Sequence, residues 1–183
     1  MRKILIALAA LGALAATAAF ASAPSQASPA AVAGCAPDSL NLVSDGALTV
    51  GTDNPAYPPW FGGGSPKGSS WKINDPTTGK GFESAVAYAV AKQLGFAKGA
   101  VKWVYTPFNR AFAPGPKSFD FDINQISYTP QRAKVVTFSS SYYDVNQSIV
   151  VVKGTKIASV RSVKGLKSYK LGAQLGTTSY QYI

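Results

Sequence analysis

FDFDINQISYTPQRAKVVTFSSSYY, running from Phe119 to Tyr143, is the stretch that decides how the chain is read. FDFDINQIS alternates as a strand would, and the chain turns at Tyr128-Thr129-Pro130. A short helix carrying Arg132 follows, and VVTFS leads out into a polar, Tyr-rich loop. Thr129 suits the N-cap and Pro130 the first helical position. Backbone N–H groups, the hydroxyls of Ser127 and Thr129, and a guanidinium therefore fall close together. Such a cluster suits a small carboxylate, because Arg grips it with a two-pronged fork and a helix start adds aligned donors. The same residues also fit a solvated Arg132 on an ordinary short helix, and this segment alone leaves both readings open.

Outward from it, Leu48 to Thr52 reads as a strand that enters a Pro-rich aromatic loop, Tyr57-Pro58-Pro59-Trp60-Phe61. Gly62 to Lys80 reads as a long surface loop, in which Trp71 pins the loop to the body. Phe82 to Leu94 reads as a helix, with Phe82, Ala85, Val86, Ala89, Val90 and Leu94 on one packing face. Glu83 near its start and Lys92 near its end suit the helix dipole, and Gly95 ends it. Val101 to Tyr105 is a further strand. Asn124 and Gln125 lie near the C-terminal end of the central strand, where open α/β sheets bind ligands. They point to a polar ligand group, or simply to hydrogen bonds with neighbouring loops.

Four stretches, in order and spacing, carry a family resemblance: LTVGTDNPAYPPWF (Leu48 to Phe61), GFESAVAYAVAKQLG (Gly81 to Gly95), the Ser127/Thr129/Arg132/Phe138/Ser139/Tyr142 pattern, and LGAQLGTTSYQYI (Leu171 to Ile183). From Leu48 to Ile183 the chain resembles the family-3 solute-binding proteins of ABC importers, the periplasmic amino-acid-binding proteins. The resemblance implies an α/β fold of the type II periplasmic-binding-protein kind, with the first lobe nearly complete and the second only begun. It implies lobe 1 over 47–152, with Tyr143 to Val152 as a strand crossing between lobes. The start of lobe 2 then covers 153–183, with Leu171 to Ala173 opening another strand. Family members continue beyond such a point, so the resemblance also implies a C-terminally truncated chain, a loosely packed tail and weak binding.

For the site, the resemblance implies that Arg132 holds a ligand carboxylate, helped by Ser127. It implies that the turn at Gly176-Thr177-Thr178 adds donors from Thr178 and Gln174. Tyr57 and Trp60 match the loop that lays an aromatic ring over the ligand, and Phe108 matches an apolar contact to the ligand side chain. Asp53 falls in the same loop, one residue off the usual spacing. The family usually has an Asp where Glu83 stands, with a second acid soon after it that is absent here. The implied function is capture of a small amino acid for an ABC permease. Two alternatives share the fold: a secreted dehydratase, which would need a general acid such as Glu83, and the sensory domain of a receptor.

Composition narrows the field. With no His and one Cys, most zinc sites and His-dependent triads are excluded, and no metal or cofactor is expected. The net charge is +10, but from Cys35 to Val152 ten Lys and Arg face eight Asp and Glu, while Lys153 to Ile183 holds six Lys and Arg and no acid. The excess is thus local, no nucleic-acid module surrounds it, and nucleic acid is not an expected partner. Met1 to Ala23 reads as a signal peptide, so the protein is expected in the periplasm or on the outer face of the cell membrane. Residues 24–46 read as a disordered tether. Within them Val32-Ala33-Gly34-Cys35 has the form of a lipobox, and lipidation of Cys35 would be the one link to the membrane. An exported Cys35 with a disulfide partner elsewhere is the other reading. A monomer is expected.

Overall fold

A computed structural model describes residues 34–183. The signal peptide and the first part of the tether lie outside the described residues. Three parallel strands form the sheet: β1 (Leu48–Thr52), β2 (Val101–Tyr105) and β3 (Phe121–Asp122), in the order β2-β1-β3. β1 is central and every residue in it is buried. Its register sets Val50 beside Trp103 on one side and Phe121 on the other. Thr49, Val50 and Thr52 in β1 and Val101 and Val104 in β2 are β-branched, the type that favours strands.

Helix α1 (Phe82–Gln93) covers one face of the sheet. The core joins Leu48, Val50, Ala87, Ala91, Phe96, Val101 and Ile123. Ala87 and Ala91, one turn apart, bring the helix axis close to the strands. The buried side of α1 is Glu83, Ser84, Ala87 and Ala91. This corrects the expected face, since Phe82, Ala85, Ala89 and Val90 are exposed and only Val86 and Leu94 pack against the core. With alanines on all sides of the helix, close approach to the sheet rather than side-chain size selects the buried side. Gly81 starts α1 at φ +91°, and a Cβ there would lie 2.5 Å from the Phe61 Cα. That tight contact lets the carbonyls of Pro59 and Trp60 accept the N–H groups of Phe82 and Glu83 at 3.1 and 2.9 Å. The aromatic loop is thereby fastened to the helix start.

The loop from Gly62 to Lys80 is tied down by polar bonds. Asn74 is buried, donates to the Ala56 carbonyl at 2.8 Å and accepts from Gly64 N–H at 3.0 Å. Asp75 accepts from Ser69 and Thr77 and caps a 3₁₀ turn at Pro76–Thr78. Part of the expected tether is also ordered. Leu40 and Leu42 pack against the core, and Val43 N–H donates to Asp120 at 2.7 Å.

The expected strand over Phe119 to Ser127 shrinks to β3. Gln125, at φ +48°, turns the chain out of the sheet. No strand forms at Tyr143 to Val152 or at Leu171 to Ala173. Both lack a ladder partner, and Val150 and Val152 are 96% and 74% exposed. The remaining helices are short: α2 (Phe108–Ala111), α3 (Pro130–Ala133), α4 (Val163–Leu166) and α5 (Thr178–Tyr182).

Candidate functional site

Arg132 sits in α3, whose start is built as the sequence requires. Thr129 Oγ1 accepts the Arg132 N–H at 3.1 Å, and Pro130 occupies the first turn. This cap fixes the direction in which Arg132 leaves the backbone. The residue is only 6% exposed. Its Nη1 donates to the Ser127 carbonyl at 2.6 Å and its Nη2 to the Gly176 carbonyl at 2.7 Å. The guanidinium carbon lies 4.1 Å from the Phe112 ring centroid and 5.6 Å from that of Phe108. Two aromatic faces thus hold the cation flat. Burial draws its pKa below the usual arginine value. A guanidinium has five N–H donors, so two carbonyl bonds leave three for a ligand.

Arg132 opens on a cavity of about 400 Å³. All three strands deliver residues to it from their C-terminal ends: Asp53 after β1, Phe108 after β2, and Asn124 and Gln125 after β3. Tyr57 and Ser127 line it as well. From the other side come Gln174, Thr177 and Thr178. Thr177 caps α5 through the Tyr180 N–H at 3.1 Å, which places Thr178 in the first turn beside Ser127, Oγ to Oγ1 at 3.5 Å. Asn124 is 8% exposed, and its Nδ2 has no partner among the described residues. Asp53 accepts the Asn54 N–H through Oδ1 at 2.8 Å.

Ten of the twelve expected residues therefore surround one cavity, and two do not. Thr129 acts as the cap behind Arg132. Trp60 is turned away and packs edge-on against Tyr143 and Phe82, with centroids 4.9 and 6.1 Å apart. Its carbonyl, bonded to α1, sets the loop direction and leaves Tyr57 rather than Trp60 on the cavity.

The sequence reading missed the stretch Val145 to Ser148, which also lines the cavity. Gln147 donates to Thr178 at 3.3 Å and accepts from Ser179 at 2.6 Å, closing the rim. Its signal was modest: two adjacent amides, Asn146 and Gln147, before an apolar run. A wider recess of about 1230 Å³ lies beside Ile149 to Val152 and Leu171 to Ile183. Its lining is largely aliphatic and it holds no carboxylate-binding fork, so the smaller cavity is the candidate site. Among the described residues no three His, Cys, Asp or Glu side chains come together as metal ligands.

Comparison with known proteins agrees with this architecture. The family model described as bacterial extracellular solute-binding proteins, family 3, matches residues 48–174. The arginine-binding extracellular protein ArtP of Bacillus subtilis (strain 168) is 34% identical over 98 residues, which take in 53% of this chain and 36% of ArtP. The ABC transporter glutamine-binding protein GlnH of the same organism is 33% identical over 114 residues, 61% of this chain and 41% of GlnH. The chain thus matches well under half the length of either relative. No solved structure matches. A three-stranded parallel sheet with its ligand-sized cavity at the strand ends, and a family match spanning most of the chain, give one conclusion: the chain belongs to the bacterial extracellular solute-binding proteins of family 3, which have the type II periplasmic-binding-protein fold.

Proposed function

We propose that this protein captures an amino acid outside the cell and presents it to the permease of an ABC importer. The observation that carries the reading is Arg132: a buried, aromatic-stacked guanidinium with free N–H donors on a ligand-sized cavity. A ligand carboxylate takes the fork, with the hydroxyls of Ser127, Thr177 and Thr178 beside it. Asp53, the one carboxylate on the lining, takes a cationic group of the ligand. The unpartnered amide of Asn124 supports a polar ligand, because a buried donor left unpaired costs about 1–3 kcal/mol. Tyr57 and Phe108 enclose the ligand's apolar part. Glu83, on which a dehydratase reading rests, is not among the cavity-lining residues.

The same reading takes Met1 to Ala23 as an export leader and puts the mature protein in the periplasm or on the outer face of the cell membrane. Cys35 is half-buried and unpaired in the structure. A lipid on Cys35 would tether the protein there, and a mature N-terminus near Ser22 without added mass would exclude it.

A thermal-shift panel of free amino acids tests the reading, with L-arginine and L-glutamine first because the two relatives are named for them. A ligand at a hundred times its Kd adds about 2.7 kcal/mol of stability, a shift of several degrees. No shift with any amino acid at millimolar concentration would sink the proposal.

A further inference from the structure

Glu83 touches the cavity wall from behind. It is fully buried at the start of α1, 0% exposed. Its Oε1 accepts the Gln125 backbone N–H at 2.6 Å and the Tyr142 hydroxyl at 2.6 Å. Its Oε2 accepts the Gln125 side-chain amide. One carboxylate therefore joins α1, the wall after β3 and the segment after α3.

Gln125 needs such a hold. Its φ of +48° is in the left-handed region, which a side-chain-bearing residue keeps only where its surroundings impose it. Its neighbours Asn124 and Ser127 also line the cavity, so the backbone path of Gln125 sets the shape of that wall. A buried carboxylate is tolerated when donors surround it, and here three do so. A glutamine at position 83 would turn a donor toward one of these donors. The neighbouring acid does not spoil the arrangement. Burial first, then the charges of Glu83 and Asp53, push the Asp122 carboxyl up to about 8, so it is protonated at neutral pH. Burial pushes Glu83 upward as well, opposed by its bonds from Tyr142 and Gln125.

We propose that Glu83 is a positioning residue of the candidate site, holding Gln125 and the adjoining wall in their binding shape without touching the ligand. This rests on the reading of the cavity as the binding site. The alternative is that Glu83 merely satisfies itself in the core and supports the fold as a whole.

Site-resolved amide exchange on the full chain separates the two, with affinity for L-arginine and L-glutamine as a second readout. In Glu83→Gln the Gln125 amide is expected to exchange about tenfold faster or more, while Val50 in β1 stays within about twofold. Affinity for whichever probe binds is expected to fall about tenfold. The swap Glu83→Gln with Gln125→Glu restores a carboxylate–amide pair and is expected to recover most of the lost protection at position 125. Should Glu83→Gln fail to fold, Tyr142→Phe removes one donor, keeps the ring near Phe82, and is expected to speed Gln125 exchange about threefold. Equal acceleration at Gln125 and Val50, or none at Gln125, overturns the proposal. If neither probe binds the unaltered protein, the amino-acid panel decides the binding reading, and the exchange result still decides the role of Glu83.

Discussion

Arg132 and Asp122 carry two buried ionisable groups treated in opposite ways. Arg132 remains a cation because carbonyls and aromatic faces replace its water. Lysine cannot reproduce this, having neither the fork nor the flat face. Arg132→Lys is expected to weaken amino-acid binding by about 10- to 100-fold, read by calorimetry. Asp122 has both carboxyl oxygens buried and unpartnered among the described residues, and burial holds it near 8 against an ordinary value of 3.8. The folded state therefore binds a proton that the unfolded chain releases. Its contribution to stability is full below about pH 4 and is lost as pH rises from about 4 to about 8. Urea titrations are expected to show stability falling by a few kcal/mol across that window. Asp122→Asn should flatten the slope and stabilise the protein above pH 8, and an unchanged slope would contradict this assignment. The residues easiest to foresee were those with local signals. Thr129, Pro130 and Arg132 announce their cap in four positions. Glu83 gave no such notice, because its partners lie 42 and 59 residues away and only the fold brings them together.

At the scale of elements, α1 and the short α3 depend on different things. α1 lies against β1 through Ala87 and Ala91, where no space remains for a longer side chain. Ala87→Leu is expected to cost about 1–3 kcal/mol, measured by denaturant unfolding. α3 has one turn, and its Thr129 cap is a large share of what holds it. Thr129→Ala is expected to cost about 1 kcal/mol and to loosen Arg132, so stability and affinity fall together. A loss of stability with unchanged affinity would separate the cap from the site. The strands β1 and β2 were legible from alternation, and the extent of α1 from its three- and four-residue spacing and from Gly95. The buried side of α1 was not, since alanine is equally at home on either face. The strands at Tyr143 to Val152 and Leu171 to Ala173 were expected from the family resemblance, but a strand is made by its neighbour, and these segments have none among the described residues.

For the molecule as a whole, the family and the location of the cavity were legible because motifs keep their order and strand ends mark the site. Direction was not fully legible in the Pro-rich loop: the sequence offers Tyr57 first and Trp60 second, and backbone bonds to α1 leave only Tyr57 of the two on the cavity. The rim from Val145 to Ser148 was obscured by the apolar run that follows it. The central claim is that Arg132 receives a ligand carboxylate. Calorimetric titration of the unaltered protein with its best-shifting amino acid, and with the carboxamide of that amino acid, tests this most directly. The carboxamide keeps the side chain and ammonium but has no charged carboxylate for the fork. It is expected to bind at least about 100-fold more weakly, and Arg132→Gln is expected to erase most of the difference between the two ligands. Equal binding of acid and amide by the unaltered protein would show that the guanidinium holds something else, and would contradict the proposed function at its centre.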